Sequence, residues 1–337
     1  MPDQPVAPPT ELPSQLTAAG RGGGRLGTVK RVLGGREVRW LFVAVAVGLG
    51  VWAVVGQWHD VRTSLAGLGP WVLIGATAAV VGALLASMMS WRALLAALGS
   101  PLPVRASAHI FFVGQLGKYL PGSVWPVLAQ MELATAHRVP RRRSGTASVL
   151  TMLVALLAGL LIALATLPFV SHVATGYRWA FLAVPVLVAC LHPKVLNPLL
   201  TRLLRLVRRP PLEQPLTSAA VARALGWAVV SWALFGLHVW LLAVRLGAPE
   251  GRTLVLALGG FAFAWCVGFL VVLAPAGAGV RDVLVIAVLA GVLGTGGATA
   301  VALVSRVLMS VGDLVTAGVA AWSGRRGAAP AAPAPAE

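Results

Sequence analysis

From Gly145 to Pro168 the chain runs for 24 residues without a charged side chain. Similar apolar stretches recur at 40–58, 70–91, 224–244, 253–274 and 298–322, with a shorter one at 178–192 that contains Pro185. A helix of ~20 apolar residues crosses the hydrocarbon of a bilayer. With 58% of residues hydrophobic and 11% charged, this much apolar surface could not be hidden in one soluble core beneath a charged exterior. The expected fold is all-α, a polytopic integral membrane protein of seven to eight transmembrane helices with two Pro/Gly-broken, re-entrant-like segments.

The formal net charge is +17. Nucleic-acid binding would gather such charge into one basic domain with interleaved stacking aromatics. Here the cations sit at the ends of apolar runs instead: Arg36 and Arg39, Arg138 with Arg141 to Arg143, Arg202 with Arg205, Arg208 and Arg209, and Arg325 with Arg326. That pattern is the positive-inside signal. No nucleic acid is expected as a partner. Cys190 and Cys266 lie in apolar stretches and make no disulfide framework. The six histidines, His59, His109, His137, His172, His192 and His238, show no metal-ligand spacing, so neither metal nor cofactor is expected.

Residues 1–39 carry no helical or strand period and are expected to be a disordered cytoplasmic arm. Gly22 to Thr28 lacks the Gly-Lys-Ser/Thr of a phosphate loop. The basic flank before Trp40 fits a signal peptide or a signal anchor, and without a small-residue cleavage site the 40–58 run is expected to be a retained first span. Counting from a cytoplasmic amino terminus, the basic 138–143 segment stays inside only if 107–135 enters and leaves by the same face. Residues 193–212 are expected to be an interfacial amphipathic helix, with Asn197 as cap, Pro198 in the first turn and its arginines opposite its leucines. A partner-binding helix is the rival reading. The segment 282–294 is short for a crossing, which leaves the span count and the side of the carboxyl end open. The transmembrane domain is expected over 40–322 and an Ala/Pro-rich disordered tail over 323–337. Trp40, Trp58, Trp71, Trp91, Trp179 and Trp322 fit an interfacial belt, whereas Trp125, Trp232 and Trp265 lie deeper, in packing or a cavity. Gly75, Ala79, Gly82, Ala83 and Ala86 suit close helix contact.

Two apolar segments break at proline and glycine beside charge: Gly114-Gln115-Leu116-Gly117-Lys118-Tyr119-Leu120-Pro121-Gly122-Ser123-Val124-Trp125, and Pro275-Ala276-Gly277-Ala278-Gly279-Val280-Arg281-Asp282. Opened backbone in hydrocarbon is tolerated only where protein or a wet cavity receives its polar groups. Paired breaks in two halves resemble the discontinuous helices of repeat-built transporters, while two ordinary proline kinks remain the alternative. The expected substrate-binding set is Gln115, Lys118, Tyr119, Pro121, Gly122, Trp125, Gln130 and Glu132 around the first break. Pro275, Gly277, Gly279, Arg281 and Asp282 follow around the second, with Arg306 and Asp313 on the last span. Lys118 serves either as a point charge for phosphate or as a snorkelling interfacial lysine. Arg306 and Asp313, seven residues apart, share one helix face, and Asp282 can pair with Arg306 either for packing or for transport.

These two stretches, on a basic polytopic chain of this size, resemble the flippase-like membrane family that includes the transmembrane region of lysylphosphatidylglycerol synthases. The resemblance implies a helical domain that flips or handles lipid-linked, polar-headed molecules, sometimes beside envelope glycan machinery. Asp282 stands where the family commonly has Glu, and Gln130 and Glu132 leave the first segment without a nearby Arg. The function expected is translocation or presentation of a lipid or lipid-linked molecule with an anionic head group, in the plasma membrane and with membrane lipids as partners. A non-transporting scaffold for an envelope glycosyltransferase or polysaccharide assembly is the alternative. No enzyme is expected, because no nucleophile with base, carboxylate pair or metal set stands at catalytic spacing.

Overall fold

A computed structural model describes residues 67–119, 124–166, 183–206, 215–270 and 279–327, and every regular element among them is helical. Helix α1 (Pro70–Ala97) starts on Gly69 at φ 73°, with Pro70 supplying a preset φ where no N–H partner is needed. Helix α2 (Val104–Gln115) runs into a 3₁₀ turn (Leu116–Tyr119), and α3 (Trp125–Thr135) follows. Then come α4 (Arg141–Thr166), α5 (Ala183–Leu191), α6 (Pro193–Leu206), α7 (Ser218–Arg245), α8 (Glu250–Leu270) and α9 (Val280–Gly327). The membrane character expected from the sequence is present. Five of these helices are long and apolar enough to cross a bilayer, or six if α5 and α6, bent by 74°, count as one. The expected first span at 40–58 lies outside the described residues.

Small and hydroxyl side chains hold the central pair together. Ser231 on α7 donates to the Ala83 carbonyl at 2.9 Å and lies 2.8 Å from Ser87 Oγ, while Ser90 donates to the Ala224 carbonyl at 2.9 Å. A Cβ on Gly82 would sit 3.1 Å from Leu234, so the stripe of small residues on α1 does bring the helices close. Trp232 packs against Trp265 at 5.3 Å and donates its indole N–H to the Ala155 carbonyl, the packing role rather than a cavity lining. Trp71 and Trp322 are exposed, as belt residues are. Trp91 is not: it is fully buried against Phe111, because it lies six residues inside the end of α1 and faces α2.

The first break is a folded helical hairpin. A Cβ on Gly114 would come within 3.2 Å of the Gln130 nitrogen, and one on Gly117 within 2.8 Å of the Pro126 nitrogen and the Trp125 carbonyl carbon. The α2 backbone therefore lies against the start of α3, the side-by-side geometry that same-face entry and exit requires. A continuous rod could not make these contacts.

Helix α9 is also folded, at a position the sequence reading did not single out. Gly294 has φ 69° and ψ 170°, a region open to glycine alone, and divides α9 into legs at 280–293 and 295–327. Asp282 and Arg306 each lie twelve residues from Gly294 and touch at 2.5 Å, so the legs run back along each other. The first leg is about 21 Å long at 1.5 Å per residue, short of the hydrocarbon thickness.

Of the 178–192 run, the described residues form α5, bent by 74° against α6, and 178–182 lie outside them. One local expectation is corrected. Asn197 does not cap, and Pro198 sits inside α6, which begins at Pro193. Asn197 instead binds the backbone of Leu216 twice, N–H to Oδ1 and Nδ2 to carbonyl, each at 3.0 Å. An amide that can both donate and accept satisfies a loop peptide better than a helix end. The amphipathic character of α6 holds: Leu196 and Leu200 are buried, Arg202 and Arg205 exposed.

Candidate functional site

Asp313 on the second leg of α9 faces the tip of the α2–α3 hairpin. It is 6% exposed, and its carboxylate takes Lys118 Nζ and Tyr119 Oη, each at 2.7 Å. The 3₁₀ turn after α2 is what aims these two consecutive side chains together, since its tighter winding changes their direction from that of an α-helix. Lys118 is thus neither a lone snorkelling cation nor an unpaired one. Arg306, Met309, Ser310 and Asp313 lie at helical spacing on one face of α9, as expected for the pair Arg306 and Asp313.

Asp282 forms the other half of the network. Arg306 Nη1 lies 2.5 Å from its Oδ2, and the same oxygen accepts the Gly279 N–H at 3.2 Å. That second bond satisfies one of the free N–H groups that open α9, and it works because Gly279 at φ 87° turns the chain into the helix. The expected pair Asp282 with Arg306 is therefore present, and it joins two legs of one folded helix.

Arg281 is different. It is 9% exposed and lies 3.7 Å from Asp282, beyond hydrogen-bond reach. Its Nη1 donates to the Met309 thioether at 3.4 Å, and its guanidinium lies 6.0 Å from the centre of the Phe261 ring. A thioether is a weak acceptor and a ring face a weak counter-charge. That ring and the His238 imidazole stand perpendicular with centroids 5.1 Å apart, and His238, fully buried, shares a 2.8 Å hydrogen bond with Ser305. Among the described residues three cations, Lys118, Arg281 and Arg306, thus face two carboxylates, Asp282 and Asp313, and the excess positive charge falls on the guanidinium with the poorest partners.

Other expected residues are placed as follows. Gln115 ends α2 and Trp125 opens α3, bordering the tip. Pro121, Gly122, Pro275 and Gly277 lie outside the described residues. Gln130 is buried in a neutral knot away from these charges: Ser148 Oγ donates to its Oε1, and the Trp91 indole N–H donates to Ser148 at 3.1 Å. Glu132 faces outward and pairs with Arg141 at 2.7 Å, so the exit of the hairpin does have its arginine, nine residues on and across the turn into α4. Sequence reasoning missed Met309, Phe261 and His238; only helical spacing from Arg306 pointed at the first, and no local signal marked the others. Among the described residues no cluster of three or more metal-ligating side chains occurs.

The family model of the lysylphosphatidylglycerol synthase transmembrane region matches residues 39–315, a stretch that contains both breaks and the whole charged network. The chain belongs to this family. Comparison with curated proteins and with solved structures gives no match.

Proposed function

We propose that this member of the lysylphosphatidylglycerol synthase transmembrane-region family moves, or presents for transfer, a lipid or lipid-linked molecule whose head group is anionic. The carrying observation is Arg281: a buried guanidinium with an excess positive charge around it and, among the described residues, no carboxylate in hydrogen-bond range. Placing an ionised group in a span costs at least ~2.5 kcal/mol, a cost that persists only with a partner or a use. A phosphate-bearing head group supplies planar acceptors that suit the guanidinium fork, with Lys118 as the second contact. Acyl chains stay in the lipid, and no covalent step is needed. Relative motion of the α2–α3 hairpin and folded α9 carries the head group between leaflets. The reading puts the protein in the plasma membrane with its amino terminus on the cytoplasmic side, supported by the basic segment Arg138 to Arg143.

The test is flux of a fluorescent anionic phospholipid in vesicles carrying the purified protein. Losing one charge-assisted hydrogen bond is worth ~1.5–3 kcal/mol, so Arg281→Met should slow flux by about 10- to 100-fold. Wild-type flux in both Arg281→Met and Lys118→Met would remove the mechanism.

A further inference from the structure

Resting on the function just proposed, we propose that the head group taken by this site carries a single negative charge and no cation of its own: a phosphodiester closed by an uncharged alcohol. The charges around Arg281 can be counted because the two opened segments add none. Residues 120–123 read Leu-Pro-Gly-Ser, and 271–278 hold only valine, leucine, alanine, proline and glycine. The helices packed on the site add none either. On α8 the charged residue nearest Phe261 is Arg252, about 13 Å of rise away, and on α7 the exposed Arg245 lies about 10 Å of rise beyond His238. On α1 the charged residue nearest Leu84 is Arg92, which donates to the Leu102 carbonyl at 2.8 Å. Among the described residues the balance is therefore Lys118, Arg281 and Arg306 against Asp282 and Asp313, a surplus of one cation.

That surplus decides what can enter. One negative charge brings the enclosed total to zero, so each ionised group has a counter-charge where burial has removed its water. An ammonium has three donors, so Lys118 can reach the phosphate while keeping Asp313 at 2.7 Å. A second negative charge, as on a phosphomonoester or a pyrophosphate, finds no cation left to neutralise it, since Arg306 is already matched by Asp282 at 2.5 Å. It also stands close to a carboxylate, because Arg281 and Asp282 are consecutive and their charged atoms are 3.7 Å apart.

A head group with its own ammonium fails in the opposite way. It brings no net charge, leaves the surplus in place and sets its cation among three others. Selection therefore comes from what the wrong head groups leave unpaired, more than from added contacts to the right one. The basic surface of the chain predicts a different order: its attraction grows with the charge of the lipid, so a doubly charged head group would lead.

The experiment is calorimetric titration of the full chain, in an uncharged detergent at mildly alkaline pH, with three dihexanoyl lipids: phosphatidylglycerol, doubly ionised phosphatidic acid and phosphatidylcholine. Wild type should bind phosphatidylglycerol at least about tenfold more tightly than either of the others. Asp282→Asn raises the surplus to two cations while keeping an oxygen for the Gly279 N–H. It should improve phosphatidic acid relative to phosphatidylglycerol by at least about tenfold. Phosphatidic acid binding to wild type as well as phosphatidylglycerol, or better, overturns the single-charge assignment and leaves the anionic function standing. Phosphatidylcholine binding as well as phosphatidylglycerol, or no binding of any of the three, overturns both. A folded Asp282→Asn that keeps the wild-type ranking overturns the charge balance as its basis. The wild-type ranking needs no variant, so a poorly folding Asp282→Asn leaves the test decisive.

Discussion

Two of the polar clusters among the described residues are built on opposite plans. Around Gln130 the groups are neutral, buried and mutually satisfied: Ser148 bonds the Gln130 side chain, Ser144 donates to the Gln130 carbonyl at 3.1 Å, and Trp91 closes the set. Around Asp313 and Asp282 the groups are charged, reached from outside at Lys118 and Arg306, and out of balance by one cation. The first cluster fixes the register of α4 against α3 and α1, since two of its bonds join α4 to α3 and the third joins α1 to α4. The second joins segments that are not continuous with one another, the hairpin tip and the two legs of α9. A saturated neutral knot has nothing left to offer a ligand. An unbalanced charged one has an open valence, and that contrast separates packing polarity from working polarity.

The sharpest way to break the contrast starts at the hairpin that both clusters share. Gly117→Val drives a side chain into the Pro126 and Trp125 backbone, and should cost above about 4 kcal/mol, seen as loss of folded protein in detergent. Next, Asp282→Ala leaves Arg306 without its carboxylate and should cost about 3–5 kcal/mol in unfolding experiments. Adding Arg306→Met should recover most of that stability, because the uncompensated charge goes with it. Gln130→Leu should cost about 0.5–1.5 kcal/mol by removing the bond to Ser148, which keeps the Ser144 carbonyl as acceptor, with lipid flux per folded molecule unchanged. A flux defect there as large as that of Arg281→Met would erase the distinction between the clusters. Glu132→Gln, in an exposed pair, should shift stability by less than about 1 kcal/mol and flux not at all.

How much of this was legible varies with the range of the interaction. The spans at 70–91, 145–168, 224–244 and 253–274 follow from hydropathy alone, because lipid leaves a backbone few alternatives to a helix. The folding-back of 107–135 followed from the sign of charge at Arg138 to Arg143, and the Asp282–Arg306 pair from placing two ionised groups near one apolar span. Lys118 with Asp313 was out of reach, since 195 residues separate them and either could have had another partner. Gly294 hid among glycines at 291, 294, 296 and 297, where composition says only that a turn is possible. Gln130 and Glu132 were grouped by adjacency in sequence. Two positions apart on a helix, they point to different faces, one into the core and one out of it.

The fold of α9 at Gly294 has a consequence for how the protein is made. Arg281, Asp282, Arg306 and Asp313 all belong to this one terminal element, and Asp282 meets Arg306 through its own turn. During biosynthesis the insertion machinery can therefore receive Asp282 and Arg306 as a pair of opposite charges already matched across one turn, instead of two lone ions entering one at a time. Only Lys118, made nearly two hundred residues earlier, must wait in the membrane for its partner to arrive.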